Sequence, residues 1–149
     1  MDEIRRMIKD RCMEKEEPFC ASVCPFHLDV PEFIARMQRG AFNTAFRLFS
    51  NTTGFPAIVA ALCPEPCAAV CPRGTVDAPV QLNLLEKAAV AYAANTKPNS
   101  YNLPPKKGRI AVVGAGLSGL GCALRLANRK YRVDVYERSG RVGGRLWDE

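Results

Sequence analysis

Six cysteines in two groups of three dominate the first half of this 149-residue chain. The groups follow the patterns C-x7-C-x3-C-P and C-x3-C-x3-C-P, and their members are Cys12, Cys20, Cys24, Cys63, Cys67 and Cys71. Structural zinc sites favour closely spaced cysteine pairs that converge on one ion, whereas repeated Cys-Pro steps are typical of iron–sulfur proteins, where neighbouring cysteines can bind different clusters. The spacing therefore favours iron–sulfur ligation, and zinc ligation or plain buried thiols are the alternatives.

The composition is that of a soluble globular protein, with 48% hydrophobic and 24% charged residues. The longest apolar run, Phe55–Cys63, is far shorter than the about 18 residues needed to span a bilayer. Met1–Asp10 alternates charges where a signal peptide needs an apolar core. We therefore expect a cytoplasmic protein with no membrane span, in which thiols stay reduced and available to metals.

The net charge of +6 comes from the last part of the chain, where residues 105–149 hold 10 basic residues against 4 acidic ones. Nucleic acid binding would need a basic stripe interleaved with aromatic residues or a recognition motif. The basic residues here flank an apolar strand and helix instead. We therefore expect no nucleic acid partner.

The first part of the chain, residues 1–95, is predicted to be an all-helical domain. Asp29 is the expected N-cap of one helix, with Pro31 in its first turn and Glu32 completing a capping box. Gly40 is the expected break before the next helix, and a further helix is predicted over Pro79–Asn95. The apolar residues near helical spacing are Phe33, Ile34, Met37, Ala41, Phe42, Ala45, Phe46 and Phe49.

The second part of the chain has a βαβ pattern. Residues 96–107, TKPNSYNLPPKK, contain three prolines and no periodicity, which is typical of a linker between domains. An apolar strand at 109–113, a glycine turn, a helix at about 117–129 and a second strand at 132–136 follow. We expect residues 108–149 to be the start of a Rossmann-like domain.

The glycine turn matches the G-x-G-x-x-G fingerprint in the required position between a strand and a helix. Gly114 permits the tight turn, Gly116 lets the backbone approach a pyrophosphate, and Gly119 allows close packing of helix and strand. Glu137 ends the second strand, where an acid accepts hydrogen bonds from ribose hydroxyls. The predicted dinucleotide site comprises Gly114, Ala115, Gly116, Leu117, Ser118, Gly119, Glu137, Arg138, Gly143 and Gly144.

The glycine pair after the second strand separates the candidate dinucleotides. An acid followed by six residues and then Gly143-Gly144 resembles the FAD-binding unit of flavoproteins with two dinucleotide-binding domains, so FAD is favoured over NAD. Cys122 lies four residues after Ser118 on the same helix, and we expect it to be a small buried apolar residue.

Three segments of the helical part, together with the flavin fingerprint, give the chain a specific resemblance. RCMEKEEPFCASVCPFHLDVPEFI, LCPEPCAAVCPRG and APVQLNLLEKAA resemble the N-terminal portion of the glutamate synthase small-subunit family, which is related to the N-terminal half of dihydropyrimidine dehydrogenase. The resemblance covers essentially the whole chain. It implies a helical domain with two 4Fe-4S clusters that exchange electrons with an FAD, which in turn exchanges hydride with NAD(P)H.

The resemblance also implies two ligand sets. One 4Fe-4S cluster would be held by Cys24, Cys63, Cys67 and Glu86, because the family uses a Glu or Gln at the position of Glu86. The other would be held by Cys12, Cys20 and Cys71, but its fourth cysteine is replaced by Lys15. A protonated lysine has no useful affinity for cluster iron, so a 3Fe-4S cluster, a 4Fe-4S cluster completed by another group, and no cluster all stay open for this set.

These features predict an electron-transfer subunit or fragment of an NAD(P)H-dependent FAD and iron–sulfur oxidoreductase. No residue qualifies as a general acid or base, so we expect no catalytic residue in this chain and no complete enzyme. Another redox subunit, or a C-terminal part of the same protein that binds NAD(P)H, is the expected partner in a hetero-oligomer. A non-catalytic docking module or a zinc-stabilised structural domain is the alternative.

Overall fold

The structure is a computed structural model that describes residues 2–9, 12, 17–97 and 102–148. Two compact units divide the chain, Met1–Lys97 and Pro98–Glu149, which we call the helical unit and the βαβ unit. Helices make up the first, and a helix with two parallel strands makes up the second, so the predicted fold class is confirmed. Within the described ranges, no helix is long and apolar enough to cross a membrane.

The helical unit contains seven α-helices within its described residues, joined by short turns and one 3-10 turn at Pro72–Thr75. They are α1 (Asp2–Met7), α2 (Phe19–Ser22), α3 (Val30–Gln38), α4 (Phe42–Thr53), α5 (Pro56–Leu62), α6 (Pro66–Ala69) and α7 (Leu82–Tyr92). The sequence pattern does not predict α1, α2, α5 and α6, because helices of four to seven residues are too short to show a clear period.

The start of α3 follows local rules, with one correction. The Asp29 side chain accepts a hydrogen bond from the Glu32 N–H at 3.1 Å, so the predicted N-cap is confirmed. The predicted capping box is wrong in its second half, because the Glu32 carboxylate accepts a bond from Arg36 Nε at 2.8 Å. Gly40 has a φ of 69° and separates α3 from α4 as predicted, since glycine adopts this conformation without a steric cost.

The predicted helix at Pro79–Asn95 is shorter in the structure, where α7 covers Leu82–Tyr92. Ala93 is already extended, with φ −70° and ψ 119°. The backbone N–H of Asn95 is bonded to the Asn43 side chain on α4 at 3.0 Å. The chain thus leaves the helix at Ala93 and makes a long-range contact with α4, where apolar spacing alone predicts that the helix continues.

Aromatic and aliphatic side chains of α3, α4, α5 and α7 form the core of the helical unit. Phe33 and Phe49 are fully buried, and their ring centroids lie 5.9 Å apart at 50°, a favourable tilted arrangement. Cys67 belongs to the same buried cluster, and Cys20 and Cys24 pack against it. The cysteine-bearing segments are thus held against the packed interior.

The βαβ unit consists of β1 (Arg109–Val113), α8 (Leu117–Asn128), β2 (Arg132–Tyr136) and a 3-10 turn at Gly144–Trp147. The strands pair in parallel, from Arg109 opposite Arg132 to Val113 opposite Tyr136. Both strands have the predicted bounds.

The prediction of a buried Cys122 is wrong, because its side chain is exposed. Spacing along α8 does not reveal which of its faces another segment covers, and α8 contributes no fully buried residue.

Candidate functional site

Four of the predicted ligand cysteines line one apolar cavity in the helical unit. Cys12, Cys20 and Cys71 contribute to its wall, and so does Cys67 from the other predicted set. The cavity measures about 120 Å³, and one water molecule needs about 10–15 Å³, so a group of several atoms fits here. Burial is the main cause that raises the pKa of Cys20, and the nearby Cys12 and Cys71 raise it further. Lys15 lies outside the described residues.

The second predicted ligand set comes from four segments of the helical unit, of which α2 contacts α6 and α5 contacts α7. Cys24 follows α2, Cys63 ends α5, and Cys67 lies within α6. Burial first, and then the charges of Glu86 and Cys24, raise the pKa of Cys63. The pKa of Cys67 rises to about 11, mainly through burial and then through Cys63. The charge of Glu86 thus acts on both Cys63 and Cys67, and Cys20 of the other predicted set also acts on Cys67.

Glu86 is a buried acid on α7 with an unsatisfied oxygen. Its side chain is only 5% exposed, and the Oε2 atom has no hydrogen-bond partner. Burial first, and then the Glu65 carboxylate, raise its pKa to about 7. An unpaired buried carboxylate is costly, since it loses its hydration without gaining a partner. The position therefore differs from that of an ordinary solvated glutamate on a helix surface.

The thiols and the Glu86 carboxylate are donors that a zinc ion or an iron–sulfur cluster could use. Across the residues that the structure describes, no group of three or more His, Cys, Asp or Glu side chains is drawn together to hold a metal ion. Structural zinc needs four ligands at about 2.0–2.3 Å from one point. An iron–sulfur cluster binds its thiolates on separate iron atoms, so more widely spaced cysteines fit it. The soft donors and the orphaned carboxylate oxygen therefore fit an iron–sulfur group.

Two residues that the sequence analysis missed connect the second set to the rest of the fold. Glu65, between Cys63 and Cys67, accepts a hydrogen bond from the backbone N–H of Asn83 at 2.9 Å. Asn83 is buried, and its side chain donates to the carbonyl of Ala60 at 2.8 Å. The sequence signal for Glu65 is the CPEPC pattern, in which a charged residue lies between two prolines and two candidate ligand cysteines.

The glycine-rich turn of the βαβ unit has the geometry that its residue types predict. Gly114 has a φ of 98°, a conformation that favours glycine. A Cβ atom on Gly119 would lie 1.9 Å from the carbonyl oxygen of Gly114, so only glycine allows this close approach of α8 and β1. A Cβ on Gly116 would meet no protein atom within 4 Å, which leaves open space next to the N-terminus of α8.

The second glycine pair lies against this turn. Gly143 forms a parallel bridge with Gly116, and its N–H donates to the carbonyl of Ala115 at 2.8 Å. A Cβ on Gly144 would lie 3.0 Å from the Gly116 Cα. Trp147 closes the loop, since its indole N–H donates to the Val142 carbonyl at 2.7 Å. Two glycine segments that are distant in sequence thus form one backbone surface.

Glu137 lies next to the same surface as a strongly acidic carboxylate. Its oxygens accept hydrogen bonds from the Ala115 N–H, the Ser139 N–H and the Ser139 hydroxyl, each at 2.8 Å. The bonds from Ser139 and Ala115 lower its pKa to about 2. The backbone of Arg138 contributes to the same lowering, so the carboxylate is held by the loop that follows β2. Three other residues of the predicted dinucleotide site are exposed: Leu117, Ser118 and Arg138.

Two family models match this chain. The first, described as dihydropyrimidine dehydrogenase domain II, 4Fe-4S cluster, matches residues 5–98. The second, described as an NAD(P)-binding Rossmann-like domain, matches residues 112–148. The matches follow each other in the order of the helical and βαβ units.

Several curated proteins are similar over most of this chain. The NADPH-Fe(3+) oxidoreductase subunit beta of Geobacter sulfurreducens is 32% identical over 129 residues, which is 85% of this chain and 19% of that protein. The glutamate synthase [NADPH] small chain of Mycobacterium tuberculosis is 33% identical over 151 aligned positions, 97% of this chain and 30% of that one. The NAD-dependent dihydropyrimidine dehydrogenase subunit PreT of Escherichia coli is 30% identical over 139 residues, which is 91% of this chain and 34% of that protein. The chain therefore spans only about a fifth to a third of the length of these relatives.

Proposed function

The chain belongs to the family of dihydropyrimidine dehydrogenase domain II, 4Fe-4S cluster, and on that premise we propose that it transfers electrons between a bound FAD and iron–sulfur clusters. The electrons would pass to or from a partner subunit, with NAD(P)H as the hydride donor to the flavin or NAD(P)+ as the hydride acceptor from it. The names of three relatives, each a subunit or small chain of an NAD(P)H-linked enzyme, support this proposal. We also propose domain limits of 1–95 and 108–149, a linker at 96–107 and a cytoplasmic location.

The unpartnered Oε2 atom of Glu86 carries the proposal for the first cluster. Ligation of iron would supply the partner that this buried oxygen lacks, and the charge of Glu86 acts on both Cys63 and Cys67. We assign these four residues as the ligands of one 4Fe-4S cluster, which supplies one-electron chemistry when it is bound. The raised thiol pKa values mean that protons must leave Cys63 and Cys67 when iron binds.

The second set is assigned to a cluster with incomplete cysteine ligation. Cys12, Cys20 and Cys71 would contribute three thiolates within the apolar cavity that they line. The fourth ligand of the family is replaced by Lys15. The iron content of the protein distinguishes the three states that the sequence leaves open.

The backbone surface formed by the two glycine segments is the proposed FAD pyrophosphate site. The open space beside Gly116, at the N-terminus of a 12-residue helix, suits an anionic group, because free N–H groups and the helix dipole favour negative charge there. Gly143 and Gly144 bring a second backbone segment to the same place. The Glu137 carboxylate is proposed to accept ribose hydroxyls.

The test is a quantitative analysis of the anaerobically purified chain for iron, acid-labile sulfide, zinc and FAD, with electron paramagnetic resonance of oxidised and reduced forms. About eight irons per chain would indicate two 4Fe-4S clusters. About seven irons with a paramagnetic signal in the oxidised state would indicate one 4Fe-4S and one 3Fe-4S cluster, and about four irons would indicate a single 4Fe-4S cluster. Zinc without sulfide, or a colourless protein that still binds a partner, would contradict the proposal. Glu86→Ala should alter the spectrum of one cluster, whereas Leu84→Ala, an exposed and uncharged residue of the same helix, should not.

A further inference from the structure

We propose that Glu65 is a positioning residue that fixes the Cys63–Cys67 turn relative to Glu86, and that its charge lowers the reduction potential of the cluster at that site. The inference rests on the proposed ligation by Cys24, Cys63, Cys67 and Glu86. It assigns a role to a residue that lies between two proposed ligands but is not itself one of them.

The backbone of Glu65 adopts a conformation that favours a different residue type. Its φ and ψ are both 52°, in the left-handed region, where a residue with a Cβ atom is strained and glycine is not. Such strain persists only where the surrounding structure holds it, and it often marks a functional position. At this position the side chain of Glu65 makes a bond that glycine could not make.

That bond joins two segments that are distant in sequence. The Glu65 Oε1 atom accepts the backbone N–H of Asn83 at 2.9 Å, across 18 residues. Asn83 lies in the first turn of α7, where backbone N–H groups have no partner within the helix. The bond therefore caps α7 from the ligand turn itself.

Asn83 extends the connection to a third segment. Its side chain donates to the Ala60 carbonyl of α5 at 2.8 Å, and the bond is buried. Glu86 follows Asn83 by three residues, so both lie on one face of α7. Two hydrogen bonds thus join three segments: α5, the Cys63–Cys67 turn and α7, which carries Glu86.

Glu65 also places a negative charge near the proposed cluster. It is half-buried, lies between two proposed cysteine ligands in the chain, and its carboxylate accepts the N–H of Asn83, three residues before Glu86. Iron–sulfur potentials depend on local charge, and a nearby carboxylate disfavours the addition of an electron. Removal of the charge alone should therefore raise the midpoint potential of this cluster.

The experiment compares two substitutions in the full chain, purified anaerobically. Glu65→Gln retains a hydrogen-bond acceptor but removes the charge, whereas Glu65→Gly removes the side chain and suits the backbone conformation, so it adds no strain. Iron and sulfide content, the electron paramagnetic resonance spectrum and its midpoint potential are measured. Glu32→Gln is the matched control, because that carboxylate pairs with Arg36 on α3.

We expect Glu65→Gln to keep its iron and raise the midpoint potential, and Glu65→Gly to lose iron from this cluster or to broaden its spectrum. The inference would be overturned if Glu65→Gly kept the iron content, the spectrum and the midpoint potential of the wild type. It would also be overturned if Glu65→Gln and Glu32→Gln shifted the midpoint potential equally. If wild-type protein contains no iron and sulfide, the proposed function fails instead, so the two failures are distinguishable.

Discussion

The helical unit and the βαβ unit build their candidate sites from different materials. The helical unit presents side chains, namely six thiols and one buried carboxyl group, at the edge of a core that contains Phe33 and Phe49. The βαβ unit presents backbone, because its glycine segments meet without side chains between them. Among residues 102–148 the buried apolar side chains are those of Val112 and Ala115.

This difference determines how each site fails. A site built from side chains should lose its bound group when one ligand is removed, while the core that supports it stays folded. A site built from backbone is insensitive to most side-chain changes but cannot accept one added carbon atom at a close approach. The predictions below test this contrast, beginning with the largest expected effect.

Removal of one side-chain ligand should empty a whole cluster. Cys67→Ser is expected to lose about four irons per chain, because a 4Fe-4S cluster requires four ligands. Cys122→Ser is the matched control, since Cys122 is an exposed thiol in the other unit. Unchanged iron in Cys67→Ser would contradict the assignment. Loss of all iron would show that Cys67, which also lines the cavity of the other set, supports both clusters.

Addition of one carbon should distinguish two glycines of the backbone site. Gly119→Ala places a Cβ 1.9 Å from a backbone oxygen, so we expect loss of both FAD binding and the folded βαβ unit. Gly116→Ala meets no protein atom within 4 Å, so we expect a folded unit whose FAD affinity is about tenfold weaker or worse. Calorimetric titration with FAD and the fluorescence of Trp147, the single tryptophan, measure the two effects. If both variants unfolded the βαβ unit, or if both kept the fold and the FAD affinity of the wild type, the proposed backbone site would be contradicted.

The core that supports the side-chain site should be sensitive to cavities. Phe49→Ala is expected to lower the free energy of unfolding of the helical unit by about 3–5 kcal/mol, because it removes a fully buried ring. Tyr92→Ala removes a mostly exposed ring that pairs with Phe42 at 5.6 Å, and should cost about 0.5–1.5 kcal/mol. Urea unfolding followed by circular dichroism checks both values. A similar cost for both would mean that burial does not set the stability of this unit.

The smallest expected effect is the pH dependence of the Glu137 contribution. Its folded pKa, about 2, is below the ordinary 4.5, so the unfolded state takes up a proton first as the pH falls. The stabilisation is therefore complete above about pH 4.5 and disappears as the pH falls towards 2. We expect Glu137→Gln to melt below wild type at pH 7, and the difference to shrink on acidification. A constant difference across this range would exclude the charged form as its cause.

The parts of the fold that were predicted from sequence are those set by neighbouring residues. The bounds of β1 and β2, the Asp29 cap and the Gly40 break follow from apolar alternation, a short polar side chain and a flexible backbone. The cysteine spacing and the glycine fingerprint point to the family in the same way. The ligand assignments themselves, including that of Glu86, stay predictions until iron is measured.

Contacts between distant segments account for what sequence analysis missed. The end of α7 depends on Asn43, which takes the N–H of Asn95. The exposure of Cys122 depends on which segments cover α8, and a period along one helix does not show this.

The sequence by itself determined the donor chemistry of this protein, because soft thiols at Cys-Pro steps and glycines between a strand and a helix are local patterns. Only the tertiary structure decided that Glu86 is buried with an unpartnered oxygen and that Glu65 connects its turn to α7. Burial and long-range hydrogen bonds depend on which segments meet, and that is decided when the whole unit packs. The positions that tune the site therefore become visible only in the folded chain.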